Sequence, residues 1–234
     1  MQSLTMINRR HRINASYFDS IDTPEKAYWL GFVWADGCIS KTTTRASGPN
    51  RMRLAQKWSE RHHLERFNKT IEADYSITCV KHPNGAKVAQ LDVNCRPFCE
   101  ALERLGYDVK AKRVHVPAIP KALLPHFVRG YFDGDGCLSL YDQTVKQWTV
   151  HKQEWSITGQ RGLMAEIKTI LTADAGVTPS VELKQYKRSP DTASVRYGKK
   201  ADVAKLHDYL YQNASVYLES KHQKFVDFLS RYAS

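Results

Sequence analysis

The chain has 234 residues, 42% of them apolar, and carries 35 Lys and Arg against 24 Asp and Glu, a formal net charge of +11. That apolar content suits one large domain or two small ones, and no run approaches the 18 apolar residues of a membrane-spanning helix, nor does the N-terminus carry a secretory core. The basic excess is shared: 18 basic and 12 acidic residues through Lys112, then 17 and 12 after it, so a polyanion held by both halves is expected rather than a basic tail. The five cysteines are an odd number without a disulfide framework, and a soluble, cytoplasmic protein in a reducing compartment is expected.

Residues 1–22 form a polar arm with Arg9, Arg10, His11 and Arg12, expected either to touch phosphates or to fray. Thr23 is placed to cap a helix that opens at Pro24 and runs to Gly37 (PEKAYWLGFVWADG). Strand-like runs follow at Cys38–Arg45 and Met52–Trp58 around Ser47-Gly48-Pro49-Asn50. Arg61–Glu72 reads as an amphipathic helix with Leu64, Phe67 and Ile71 on one face. Runs at Tyr75–Val80 and Val88–Val93 flank the turn His82-Pro83-Asn84-Gly85, and a helix over Pro97–Leu105 stops at Gly106.

The order then recurs. After Pro125–Gly136 (PHFVRGYFDGDG) come strands at Leu138–Tyr141 and Trp148–Thr158 and a helix at Gly162–Leu171. Strands at Val181–Lys187 and Ala193–Tyr197 surround Arg188-Ser189-Pro190-Asp191, and helices close the chain at Ala201–Tyr211 and Tyr217–Tyr232, the last packing Leu218, Phe225 and Leu229. Cys38 and Cys137 are expected as small buried strand residues. Cys95 and Cys99 lie on a helix with no second ligand pair, a poor zinc site. His62 and His63 are expected to face solvent or a nucleic-acid backbone, and Trp58, Trp148 and Trp155 to be core or sheet-flank residues.

The two proline-initiated stretches are copies, 99 residues apart: Asp36-Gly37-Cys38-Ile39-Ser40 lies over Asp135-Gly136-Cys137-Leu138-Ser139. A calcium-hand reading from Asp133 fails, since Cys137, Leu138 and Thr144 fall where acid, glycine and glutamate are needed. Gly31 and Ala35 are four apart, as are Gly130 and Gly134, so each pair gives its helix a small face for close backbone approach. Parallel packing through those faces would bring Asp36 and Asp135 together at two negative helix ends. Such a site needs a cation, and hard oxygen ligands with room for water suit Mg²⁺.

These stretches resemble the paired helices of the LAGLIDADG homing endonucleases in their single-chain, two-motif form. Trp34 departs from the pattern, standing where the first motif would carry an earlier, non-catalytic acid. The resemblance implies an α/β (α+β) fold of two pseudo-symmetric αββαββα halves, each with a four-stranded antiparallel sheet. Its divisions would be an arm at 1–22, halves at 23–106 and 121–234, and a linker at 107–120. It also implies a monomer that hydrolyses long double-stranded DNA targets with divalent metal, Asp36 and Asp135 being metal ligands and catalytic acids. A lysine from each half would meet the transition-state charge, Lys221 at the start of the final helix and Lys112 in the linker. A water-ordering polar residue would come from Ser59 or Glu60, and from Thr158 or Gln160. The alternative on the same scaffold is a non-cleaving binder, either an RNA maturase or a transcriptional regulator.

Strands place alternate residues on opposite faces, so the sheets would offer basic and polar faces to a major groove. The candidates are Lys41, Arg45, Arg51, Arg53, Lys57, Lys81 and Lys87 in the first half, and Lys146, Lys152, Lys184, Tyr186, Arg188 and Arg196 in the second.

Overall fold

The computed structural model describes residues 11–40, 50–108, 114–179, 182–186 and 189–231. Helix α1 (Pro24–Asp36) begins where Thr23, in extended conformation, accepts the Lys26 N–H at 3.2 Å, with Pro24 opening the first turn. Ala27 through Ala35 are all buried. Strands β1 (Cys38–Ser40) and β2 (Arg51–Lys57), helix α2 (Arg61–Thr70), strands β3 (Thr78–Lys81) and β4 (Lys87–Val93) and helix α3 (Arg96–Arg104) follow. The second series is α4 (Leu124–Asp135), β5 (Gly136–Val145), β6 (Trp148–Gln160), α5 (Arg161–Asp174), β7 (Lys184–Tyr186), β8 (Ser189–Tyr197), α6 (Lys200–Tyr211) and α7 (Glu219–Ser230).

Each series builds one four-stranded antiparallel sheet, β1-β2-β4-β3 and β5-β6-β8-β7, so strand order as well as element order is repeated. Contacts divide the chain into two compact units, residues 1–19 with 38–101, and residues 20–37 with 102–234. Helix α1 therefore groups with the second sheet and its helices. No helix among the described residues is long and apolar enough to cross a membrane.

In the first unit, Met52 and Leu54 of β2 and Ala89, Leu91 and Val93 of β4 are buried, as are Leu64, Phe67 and Ile71 of the amphipathic helix and its end. The arm is tied down from His11 onward: Asp74 accepts the Arg12 N–H at 2.9 Å, and Asn14 donates its N–H to Ile71 at 2.9 Å. In the second unit Phe132 stacks on Trp155 with centroids 5.3 Å apart, and Phe225 packs at 5.7 Å from Phe132. Glycine is required at Gly85 and Gly106, which take φ of +83° and +102° to close the β3–β4 turn and end α3.

Several expectations change. Strand β5 runs on to Val145 and meets Trp148 across a two-residue loop in which Lys146 takes φ +56°. Ser189, Pro190 and Asp191 lie in β8 rather than in a turn. Proline is tolerated there because the β6 ladder starts only at Thr192, so no bond is lost. Helix α7 starts at Glu219, and its buried face is Phe225 and Phe228, while Leu229 is 38% exposed. Cys38 and Cys137 are exposed, because Ile39 and Leu138 take the inward positions and strand alternation turns their neighbours out. His63 is not solvent-facing: it is buried beside Leu64 and Phe67, and burial pushes its pKa down to about 3. Trp155 is core, but Trp148 is 68% exposed at the β5–β6 hairpin end.

Candidate active site and nucleic-acid interface

Helices α1 and α4 touch through backbone. A Cβ on Gly31 would overlap the Phe127 carbonyl and stand 2.9 Å from Tyr131 N. A Cβ on Gly130 would overlap the Tyr28 carbonyl and stand 2.8 Å from Phe32 N. Further along, a Cβ on Gly134 would overlap that of Ala35 and lie 3.1 Å from Asp36 Oδ2. Residue numbers rise together along both helices, so they run parallel and end side by side.

That crossing places the half-buried Asp36 carboxylate against Gly134, the residue before the exposed Asp135. The ends are closed by the Gly37 N–H, which donates to Val33 O at 2.8 Å, and by the Gly136 N–H, which donates to Phe132 O. Lys221, in the first turn of α7, donates its ammonium to the carbonyl of Gly136, with Nζ 5.6 Å from the centre of the Phe132 ring. Its charge thus sits one residue past Asp135. Lys112 lies outside the described residues.

The residues fit a divalent hard cation in one specific way. The Asp36 carboxylate lies against Gly134, at the end of α4 that also carries Asp135, where both helix dipoles are negative. A hard cation such as Mg²⁺ keeps several waters and takes only one or two protein carboxylates, a role that Asp36 and Asp135 could fill.

Asp133 is the buried, hydrogen-bonded acid whose place in the site sequence reasoning passed over. It is fully buried and accepts from Tyr28 OH at 2.8 Å, from Tyr211 OH at 3.3 Å and from Leu218 N at 2.7 Å. Burial pushes its pKa up to about 7, against the opposing pull of the Leu218 and Tyr28 hydrogen bonds and the Arg129 charge. One turn earlier, Arg129 donates to Val216 O at 2.9 Å and Leu210 O at 2.7 Å. Burial, and then Arg129, hold the pKa of His126 down to about 4. The available signal was a second acid in the motif at a position where Trp34 stands in the first copy.

The arginines of the sheets are held in place by partners. Arg53 grips Asp92 with two hydrogen bonds of 2.8 and 3.1 Å, and Arg51 approaches the same carboxylate at 3.9 Å. In the second sheet Arg196 holds Glu154 at 3.0 Å, Ser194 Oγ at 3.1 Å and Tyr186 OH at 3.3 Å. The Tyr186 hydroxyl, bonded first to Ser194 and then to Arg196, has its pKa pulled down to about 8. By strand register Cys38 pairs with Arg53 and Arg53 with Asp92, while Cys137 pairs with Ser156 and Ser156 with Arg196. Asp92 and Arg196 are therefore counterparts of opposite sign. Lys57, Lys81, Lys87, Lys146, Lys152 and Lys184 are exposed, while Lys41, Arg45 and Arg188 lie outside the described residues. Thr158 follows Ile157, the partner of Gly136, and Gln160 ends β6; Ser59 and Glu60 lie in a 3₁₀ turn after β2.

No protein-family model matches the chain, and no curated protein matches it. Solved structures do. The LAGLIDADG meganuclease I-AabMI bound to uncleaved DNA superposes with a TM-score of 0.62 at 12% identity, covering 91% of both chains. I-SmaMI bound to uncleaveable DNA gives 0.61 at 13% identity, over 90% of this chain and 89% of that one. The I-LtrWI LAGLIDADG homing endonuclease bound to target DNA gives 0.57 at 13% identity, over 94% and 90%. Another I-SmaMI structure contains its uncleaved DNA target with calcium ions. The chain has the LAGLIDADG meganuclease fold.

Proposed function

We propose that this chain, built on the meganuclease fold, is a site-specific endonuclease that binds long double-stranded DNA as a monomer and breaks both strands with the help of Mg²⁺. The observation that carries the reading is the meeting of Asp36 and Gly134 at the parallel ends of α1 and α4, with Asp135 next in the chain and Lys221 on the Gly136 carbonyl. Two acids at negative helix ends serve no packing purpose by themselves. The DNA-bound state of the structural relatives supports the same substrate class.

In this reading the sheet faces bind the duplex. Exposed lysines take phosphates, and the anchored Arg53, Arg196 and Tyr186 present fixed polar groups to base edges. Asp36 and Asp135 would hold the metal, which when bound supplies an activated water and charge stabilisation for the leaving oxygen. Lys221 sets a fixed ammonium beside the acids, where negative charge grows on the phosphate as the bond breaks. Thr158 or Gln160, and Ser59 or Glu60, would order water near each strand, and Lys112 would serve the first half as Lys221 serves the second.

The test is incubation with a random-sequence duplex library in Mg²⁺ or in EDTA, with sequencing of cleaved ends. Metal-dependent double-strand cuts at one long consensus are expected. A library bound selectively yet left intact in every divalent metal would replace this reading with that of a non-cleaving maturase or regulator.

A further inference from the structure

We infer that Asp133 is a positioning residue, which clamps the start of α7 to α4 so that Lys221 is delivered beside Asp135. The inference rests on the endonuclease reading above for what Lys221 does, and on geometry alone for the clamp.

Asp133 Oδ2 accepts the Leu218 N–H at 2.7 Å, and Leu218 is the N-cap residue of α7. The Leu218 carbonyl in turn accepts the N–H of Lys221 at 3.0 Å and of His222 at 3.1 Å, which starts the helix. The Lys221 ammonium then returns to the carbonyl of Gly136. The links Asp133, Leu218, Lys221 and Gly136 thus close a ring that begins and ends within three residues at the end of α4, around the acid it serves. Tyr28 donates to the same carboxylate oxygen and Tyr211 to the other, and Arg129 ties down the carbonyls of Leu210 and Val216. A long lysine side chain loses rotamer freedom when held, and the anchored helix start sets its backbone where the ammonium reaches the Gly136 carbonyl before substrate arrives.

The repeat supplies an independent parallel. Trp34 occupies the position of Asp133 in the first copy. Its indole Nε1 donates to the carbonyl of His115 at 3.1 Å, three residues after Lys112 in sequence, whereas Leu218 lies three before Lys221. Both mates reach from a signature helix to the segment expected to bring a lysine. One donates and the other accepts, which explains how Trp can replace an acid at this position.

The experiment combines lysine labelling with kinetics. Brief acetylation with acetic anhydride, read by mass spectrometry, compares Lys221 with the exposed lysines of the same sample. In Asp133→Ala the relative reactivity of Lys221 should rise several-fold, and Asp133→Asn, whose amide oxygen can still accept the Leu218 N–H, should restore most of the protection. Leu218→Pro removes the donor instead, at a φ of −84° that proline tolerates, and should expose Lys221 in the same way if Asp133→Ala does not fold.

On a duplex recovered from the library, Asp133→Ala should lower the single-turnover rate by about 100-fold with DNA affinity unchanged, and should add nothing in a Lys221→Met background. Unchanged Lys221 labelling in whichever disruptive variant folds, or rate losses that multiply in the double variant, would overturn the clamp. If the wild type cuts no duplex, the endonuclease reading fails, while the labelling still decides whether Asp133 places Lys221.

Discussion

Gly31 packs against the backbone carbonyl of Phe127, and at the same level of the crossing Gly130 packs in the same way against Tyr28. Each glycine is the socket for the other helix, and the neighbour that a side chain would meet is backbone, which cannot rotate aside. Gly31→Leu and Gly130→Leu should therefore each cost about 3 kcal/mol or more, seen as a large fall in melting temperature together with loss of DNA cleavage. An unchanged melting temperature in either variant would show that the helices do not meet through this face.

Asp36→Asn and Asp135→Asn should each abolish or severely impair double-strand cleavage while leaving gel-shift affinity for the target close to wild type. The sheets supply the grip, and relief of repulsion between neighbouring carboxylates should leave stability equal or slightly higher. Ca²⁺, with its longer and looser coordination, should support binding without efficient cutting. A fully active Asn variant would remove the acids from the chemistry.

DNA affinity should fall steeply with salt, because exposed lysines such as Lys57, Lys81, Lys87 and Lys184 release counterions on meeting phosphates. For about six phosphate contacts, roughly a thousandfold loss is expected between 50 and 200 mM salt. Each single Lys→Ala change should reduce the log–log slope by about 1, and a slope near zero would rule out the groove-binding sheets.

Stability should decline on mild acidification. His63 keeps a folded pKa of about 3 against the ordinary histidine value of 6.5, so the unfolded chain takes up the proton first. Its contribution is complete above pH 6.5 and is lost as pH falls toward 3, at a limiting slope of about 1.4 kcal/mol per pH unit. His126, held down to about 4, acts in the same direction. His63→Gln should flatten the denaturation midpoint measured from pH 7 to pH 4, and an unaltered pH profile would mean that His63 titrates freely.

Arg196 is braced by Glu154, Ser194 and Tyr186, so its remaining donors point in a fixed direction. Arg196→Lys should relax base preference at one position of the selected consensus, a loss of about 1–3 kcal/mol of discrimination, with the others retained. An unchanged consensus would make the cluster purely structural.

The pattern of elements was legible because each relies on local rules. The amphipathic spacing of Leu64, Phe67 and Ile71, the Thr23 cap and the Gly106 stop all act within a few residues, and each is in place. The duplicated small residues and acids likewise announced two helices that could approach closely. What the sequence could not determine is which polar groups meet across distance. His62 and His63 are adjacent and chemically identical, yet one is exposed and the other buried, because only one falls on the apolar face once α2 has a sheet to cover. Cys38 and Cys137 turn outward by a strand phase that their own small size does not specify. Asp133 draws its partners from Tyr28, Tyr211 and Leu218, up to 105 residues away. Local sequence determined the helices and their acids. Only tertiary structure decided which buried charge would be satisfied and by whom, because a buried carboxylate must find donors wherever the packed chain supplies them.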